Sequence, residues 1–276
     1  MTFRNKINKS YLIIILSIIL SFVFSGCGLY YDYGDAGDSG KIEDGSGILV
    51  KEVIDGDTIV LSDGSRVRLI GINTPEHGMY FFEEAREVLE AIVQGREVIL
   101  EKDISDKDKY GRLLRYVYTG NLFVNLEMVK RGFANAYTYP PDVKYNEEFL
   151  EAERYARENN LGLWLKSKVD IVKITINYDA RGNDNVNLND EYIIMENIGD
   201  DSIDIDGWTI KDSGTNIYTF EKYSFESGSK IFLFTGSGKD GAGKFYWGSP
   251  KPIWNNDSDT LYLRDRDGLL IEVYNY

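Results

Sequence analysis

DGDTIVLSDGSRVRLIGINTPE, residues Asp55–Glu76, reads as strand, tight turn, strand and loop. Val53, Ile54, Ile59, Val60 and Leu61 flank the carboxylates Asp55 and Asp57. Asp63-Gly64 is a strong hairpin signal, because both residue types accept the positive φ of a two-residue turn. Val67, Leu69 and Ile70 return as the second strand, with Arg66 and Arg68 interleaved. Side chains alternate faces along a strand, so Arg68 points away from Val67 and Leu69 and toward a surface or cleft. Pro75 fixes the backbone of Asn73-Thr74-Pro75-Glu76 and sets Glu76 rigidly beyond the strand ends. Any one of these charges alone suits a solvated hairpin. Two acids, an arginine and a fixed glutamate together predict a site for a cation and a phosphate.

A second stretch supports this reading: Asp108-Lys109-Tyr110-Gly111-Arg112, ahead of a strand Leu113–Tyr118. With DGDT at Asp55–Thr58 and RLIGINTPE at Arg68–Glu76, it makes three ordered blocks in which the chain resembles the thermonuclease (micrococcal-nuclease-like) family. The likeness runs from about Gly47 to Trp164, and three ordered blocks are far more specific than one motif.

Upstream, Arg4, Lys6 and Lys9 precede an apolar run, Tyr11–Phe24, and then Ser25-Gly26-Cys27. A basic start, a short apolar core and small residues before a cut site define a secretory signal. The run falls short of the roughly 20 residues of a membrane helix. Cys27 is the one cysteine of the chain, so no intrachain disulfide forms. Ser-Gly-Cys resembles a prokaryotic lipobox, with Phe24 where leucine is usual. Residues 1–26 are therefore expected as a signal peptide with Cys27 lipidated, the alternative being an uncleaved, tilted anchor. Either puts the rest outside the cytoplasm, on the outer face of the membrane. Residues 27–47 are rich in Gly, Asp, Ser and Tyr without periodicity and read as a flexible tether.

Residues 48–166 carry strands expected at Ile48–Ile54, Thr58–Ser62, Arg66–Ile72, Val98–Glu101 and Leu113–Tyr118. Ala85, Val88, Leu89, Ile92 and Val93 form one apolar helical stripe that Gly95 stops. A short helix is expected over Asn125–Arg131, and a third one capped by Asn146. Five short strands with interposed helices suit an OB-fold β-barrel, whose open face commonly binds oligonucleotides; the resemblance implies the same α+β fold.

His77 is the single histidine, which excludes histidine-paired acid–base chemistry and His-rich zinc sites; it reads as a loop residue. Carboxylates, arginines and tyrosines remain. Carboxylate and carbonyl oxygens suit a hard cation, and the guanidinium fork suits phosphate. Phosphodiester hydrolysis requires that combination together with an attacking water.

The resemblance assigns roles. It implies calcium held by Asp57, the Thr74 carbonyl and the Asn73 position, with Glu76 orienting or deprotonating water. Arg68 and Arg112 are implied as phosphate clamps, and Lys109, Tyr110, Tyr137 and Tyr139 as the pocket for terminal phosphate and base. The implied activity is calcium-dependent endonucleolytic cleavage of DNA and RNA, single-stranded or breathing, with little sequence preference and 3′-phosphate products. Asn73 departs from the family, which usually has aspartate there. One charge fewer predicts weaker calcium binding, with Asp55 as an outer compensating carboxylate.

The net charge of −14 looks hostile to nucleic acid. Residues 48–168 carry 17 Lys+Arg against 21 Asp+Glu, whereas residues 169–276 carry 10 against 19. The acidity therefore sits mainly in the tail, and Arg68, Lys109, Arg112 and Lys144 can still form a local cationic cleft.

Residues 169–276 read as many short strands with polar turns, including Ile203–Ile210, and suit an all-β sandwich. Asn189-Asp190-Glu191-Tyr192 with Glu196-Asn197, Asp206-Gly207-Trp208, and Trp254-Asn255-Asn256 leading to Asp259-Thr260 resemble the lamin-tail domain, an immunoglobulin-like sandwich. Trp208 and Trp254 are expected as core and corner residues. Ser202–Gly207 lacks the terminal acids of a calcium loop. The domain holds no acid–base constellation, so binding or positioning is its expected work, of cell-envelope material, another protein or nucleic acid held near the nuclease, with unaided nucleic-acid binding the least favoured by its charge of −9. The alternative for the whole chain is a surface protein with a weakened centre that holds nucleic acid or envelope partners.

Overall fold

Alternation of buried and more exposed side chains is clear over Arg66–Leu69, while register shifts interrupt it in Ile48–Asp55. The computed structural model describes residues 47–276; the expected signal peptide, most of the tether and Cys27 lie outside the described residues. β1 (Ile48–Asp55), β2 (Thr58–Leu61), β3 (Arg66–Leu69), β4 (Ile72–Asn73), β5 (Glu97–Glu101) and β6 (Leu113–Thr119) are the early strands, and the short β7 (Leu122–Phe123) and β8 (Asn135–Ala136) follow. The sheet runs β3-β2-β1-β5-β6, and β3 also pairs with β6, which closes a five-stranded barrel. β3 lies parallel to β6, with Arg68 opposite Leu114, while the other barrel pairs are antiparallel. Val67 and Leu69 are fully buried and Arg68 is not, as alternation requires.

Helix α1 (Phe82–Val93) buries its stripe of Ala85, Val88, Leu89, Ile92 and Val93 against the barrel. Helix α2 begins one residue earlier than expected, at Val124, and runs to Lys130. Its Asn125 is fully buried. The amide accepts from Val117 N at 2.9 Å and donates to Ile70 O at 2.9 Å, joining two barrel segments. Helix α3 spans Asn146–Glu158, but Tyr145, not Asn146, occupies its cap. The expected cap fails because the Asn146 side-chain oxygen accepts from the Thr138 hydroxyl instead.

The second half holds two four-stranded sheets, as expected of a sandwich. One has β9 (Val172–Asn177), β10 (Tyr192–Asn197), β15 (Lys230–Phe234) and β16 (Lys244–Tyr246), in the order β16-β15-β10-β9. The other has β12 (Thr209–Lys211), β13 (Ile217–Thr219), β17 (Thr260–Arg264) and β18 (Leu270–Asn275), in the order β13-β12-β17-β18. Ile193, Met195, Leu233, Ile210, Leu261 and both expected tryptophans, Trp208 and Trp254, fill the core. The single strand expected over Ile203–Ile210 is two strands in different sheets. β11 (Ile203–Asp204) pairs with β14 (Ser224–Phe225), and β12 follows only after a turn. Asp204 accepts from Asp206 N at 3.1 Å, and Gly207 takes a left-handed φ of 78°, so the chain swings from one sheet to the other.

The halves are welded rather than strung together. Trp164, on a 3-10 turn at Gly162–Trp164, is buried with Ala156 of α3 and Leu270 of β18. Arg157 lies 4.6 Å over its ring, and Tyr262 packs 6.1 Å away. Lys166 pairs with β18: Leu270 N donates to Leu165 O at 2.8 Å and Ser167 N to Leu270 O at 2.8 Å. Arg264 donates to Leu163 O at 2.7 Å, and its burial pulls the guanidinium down to about 10. Alternation on β12 and β17 thus sends Lys211, Tyr262 and Arg264 toward the barrel domain and Ile210, Leu261 and Leu263 into the sandwich. Among the described residues, no helix is long and apolar enough to cross a membrane.

Candidate active site

The turn between β1 and β2 presents the two carboxylates. Asp55 Oδ1 accepts from Asp57 N at 3.0 Å, which folds the turn back on itself. Asp57 is buried and fully engaged. Its Oδ1 accepts from Arg68 Nε at 3.0 Å and from the Thr58 hydroxyl at 3.1 Å. Its Oδ2 accepts from Thr74 N at 3.1 Å and from the Thr74 hydroxyl at 2.9 Å. That double grip fixes Thr74-Pro75, and through them the start of Glu76. Glu76 itself stands exposed.

Arg68 reaches from the middle of β3 and is held at nearly every donor. Nη1 donates to Leu69 O and, at 3.0 Å, to Ile72 O, and Nη2 donates to Asn73 Oδ1 at 3.2 Å. A guanidinium has five N–H groups, so one Nη2 hydrogen stays free for a phosphate. Arg112 is the more open clamp. Its Nε donates to Asp108 Oδ2 at 2.7 Å and its Nη1 weakly to the Thr58 hydroxyl at 3.4 Å, which leaves three N–H groups. Burial acts to raise the Asp108 carboxyl, but hydrogen bonds from Arg112 and from the Tyr110 and Arg112 amides overcome it and hold the group below its ordinary value.

Thr58 and Asp108 are the members that sequence reasoning left without a role. The Thr58 hydroxyl donates to Asp57 while accepting from Arg112, so it couples Asp57 to Arg112. Both residues lie inside the quoted blocks, and only their partners were hidden.

Tyr110 is 73% exposed, with Lys109 at 5.0 Å and Arg112 at 5.6 Å from its ring. Tyr137 and Tyr139 stack at 6.0 Å and 15°, both exposed. The β4 pairing with Asn135–Ala136, and Tyr137 N donating to Gly71 O at 2.9 Å, bring Tyr137 alongside the Asn73 segment. Lys144 does not join the cleft. Its amine is held by Glu101 and its backbone N by Asp103 at 3.0 Å, so it buttresses the barrel.

The donor set has the chemistry of a hard-cation site: the Asp57 and Asp55 carboxylates, the Asn73 amide and the Thr74 carbonyl. Asp55 is pushed up to about 6, first by burial and then by the Asp57 charge beside it. A divalent cation bound beside the two carboxylates would bring Asp55 back toward its ordinary value. Among the described residues, no cluster of three acidic, His or Cys side chains surrounds such a position. A third carboxylate is missing where Asn73 stands, and its amide oxygen is already taken by Arg68.

The second domain touches this region. Tyr80, four residues past Glu76, lies on Gly268 of the β17–β18 turn, where an added Cβ would fall 2.1 Å from its ring. Burial pushes the Lys211 amine down and Arg264 adds to this, while Asp212, Asp259 and Glu76 oppose it. A tail-domain cation therefore lies within electrostatic reach of Glu76.

Comparison with known proteins agrees with this geometry. A family model described as Staphylococcal nuclease homologue matches residues 66–166, and one described as Lamin Tail Domain matches residues 166–276. The chain is 40% identical over 129 residues to a thermonuclease of Staphylococcus intermedius, covering 44% of this chain and 77% of the relative. It is 36% identical over 124 residues to a thermonuclease of Staphylococcus hyicus, covering 42% and 73%. It is 30% identical over 197 residues to Endonuclease YncB of Bacillus subtilis (strain 168), covering 58% and 93%. The barrel, the linked acid–arginine network and these relatives converge: this chain belongs to the staphylococcal nuclease family, a nuclease whose catalytic barrel is followed by a lamin tail domain.

Proposed function

We propose that this nuclease is calcium-dependent, cleaves DNA and RNA endonucleolytically with little sequence preference to leave 3′-phosphates, and is tethered outside the cell through lipid on Cys27. The observation that carries the reading is the continuous network Arg112–Thr58–Asp57–Arg68–Asn73 at the barrel mouth. Asp57, the Thr74 carbonyl and Asn73, with Asp55 behind them, would hold the cation. Bound there, calcium supplies positive charge against a phosphate oxygen. Arg112 offers its three free N–H groups to the phosphate, and Arg68 adds one from the other side of Thr58 and Asp57. These donors are fixed beforehand by Asp108 and Asp57, so they need little rearrangement as charge builds on the phosphate. Glu76 stands exposed on a rigid loop, free to take a proton from water. Lys109, Tyr110, Tyr137 and Tyr139 supply a charge and three exposed rings for the terminal phosphate and a base.

The test is cleavage of single-stranded DNA by purified tagless protein, with calcium titrated against chelator. Glu76→Gln and Arg112→Ala proteins run beside it to exclude contaminating nuclease. Calcium-dependent cleavage lost in both variants supports the reading. Folded protein without cleavage at high calcium leaves the chain a binding protein.

A further inference from the structure

The sandwich has two outward faces. One, made by β12, β17 and β18, lies on the barrel domain through Tyr262, Arg264 and Leu270. The other, on the sheet β16-β15-β10-β9, points the opposite way. Outward positions on a solvated antiparallel sheet are normally polar. Here they carry Tyr192, Ile194, Phe232, Phe234 and Tyr246, all half-buried and with Gly238 lying against the Tyr246 ring, alternating with the core residues Ile193, Met195, Ile231, Leu233 and Phe245.

These rings pack on one another and not on either core. Phe232 and Phe234 lie 6.1 Å apart at 11°, Phe234 and Tyr246 5.1 Å apart at 24°, and Tyr192 sits 5.7 Å from Phe234. Strand register places them in ordered rows: Tyr192 opposite Phe234, Phe234 beside Tyr246, and Ile194 opposite Phe232. The next row is Lys173–Glu196–Lys230, and Lys244 sits beside Phe232 at the sheet edge. Within a domain of 19 acids and 10 bases, the strand positions of this face thus hold three lysines and one glutamate, already paired with Lys230 at 3.3 Å. Aromatic rows bordered by cations complement a polymer with flat rings along one side and phosphates along the other.

We propose that this face binds single-stranded nucleic acid, with unpaired bases against Phe232, Phe234 and Tyr192 and the backbone along Lys173, Lys230 and Lys244. Single strands are specified because paired bases do not offer their faces to side chains. A neutral glycan would use the rings but leave the lysine border without a partner. The site has no catalytic groups, so it holds polymer near a barrel that cuts it, raising the local concentration of substrate. The inference draws its purpose from the nuclease reading but its chemistry from the sheet alone.

The test is fluorescence anisotropy of a labelled oligothymidylate with the full chain in mild detergent, under chelator so that nothing is cut. An Arg112→Ala background suppresses the barrel's own phosphate contacts. Phe234→Ala should weaken the remaining binding about 10-fold. Lys244→Glu, at an exposed position that leaves the fold alone, should weaken it and lower the salt slope by about one. In the Arg112 wild-type background, both variants should cleave a chromogenic nucleotide diester, too short to reach the tail, at the unaltered rate. The proposal is overturned if folded variants bind the oligonucleotide as the parent does. It is also overturned if they lose self-association or binding to a neutral glycan instead. Oligonucleotide binding that responds to both variants, in a protein that never cleaves with calcium, sustains this site and refutes the calcium-nuclease reading alone.

Discussion

Gly268→Ala probes whether the tail domain holds the loop that carries Glu76. Gly268 has a φ of 74°, where an L-residue is strained by about 1–2 kcal/mol. The new Cβ would also fall 2.1 Å from the Tyr80 ring, so ring or turn must shift by more than an ångström. Such overpacking costs about 1–3 kcal/mol. The sum predicts a loss of roughly 2–5 kcal/mol in the wild-type background. In a Tyr80→Ala background the clash disappears and only the backbone strain remains, so the double-mutant cycle should return about 1–3 kcal/mol of coupling. Urea unfolding of the four proteins measures it, with the m-value checked for constancy. Because Met79 N donates to Glu76 O at 2.9 Å, displacement of Tyr80 is passed back toward Glu76. An ångström of misplacement at a reacting group can cost about 100-fold, so kcat should fall 10-fold or more (roughly) while KM changes little. Additive stabilities with an unchanged kcat would refute the clamp.

Asn73→Asp should lower the calcium concentration for half-maximal cleavage by about 10-fold through the added charged ligand; an unmoved midpoint in a calcium titration rejects the account of Asn73. Asn125→Ala strands Val117 N and Ile70 O inside the barrel and should cost about 2–4 kcal/mol in denaturant unfolding. Glu191, buried beneath Trp254 N at 2.6 Å, has its carboxyl raised by burial against the hydrogen bonds it accepts. A raised folded-state value favours the folded state at low pH, and that contribution is lost as pH rises through it. Glu191→Gln should therefore flatten the decline in stability from the ordinary carboxylate range upward, and thermal scans that keep the wild-type slope would exclude it.

The barrel was legible because its signals are local and repeated. Val67-Arg68-Leu69 shows its faces by alternation, and the Ala85–Val93 stripe shows one helical side. The site blocks were legible as residue types, since carboxylates and arginines in that order suit little else. Partners were not legible. That Arg68 consumes the Asn73 oxygen, or that Glu101 holds Lys144, follows from side chains 5 and 43 residues apart meeting in space. The strand expected over Ile203–Ile210 failed for a related reason. Its apolar alternation changes phase, since Ile205 and Ile210 are both buried yet five residues apart, and the sequence hides that the break at Gly207 leaves the first part to pair with Ser224–Phe225. The outward aromatics escaped because Phe232 and Phe234 alternate with Ile231 and Leu233. In a run that is apolar throughout, period two leaves no trace.

The pairing of Lys166 with β18 also governs how the molecule comes apart. A chain of two independently melting modules would show two heat-absorption peaks and a seam open to proteases. Here neither half can open without baring Trp164 and unpairing Leu165 and Ser167 from Leu270. Calorimetry should accordingly record one cooperative transition, and trypsin, offered Lys166 and Lys168 at the boundary, should find that stretch as resistant as the interior of a sheet.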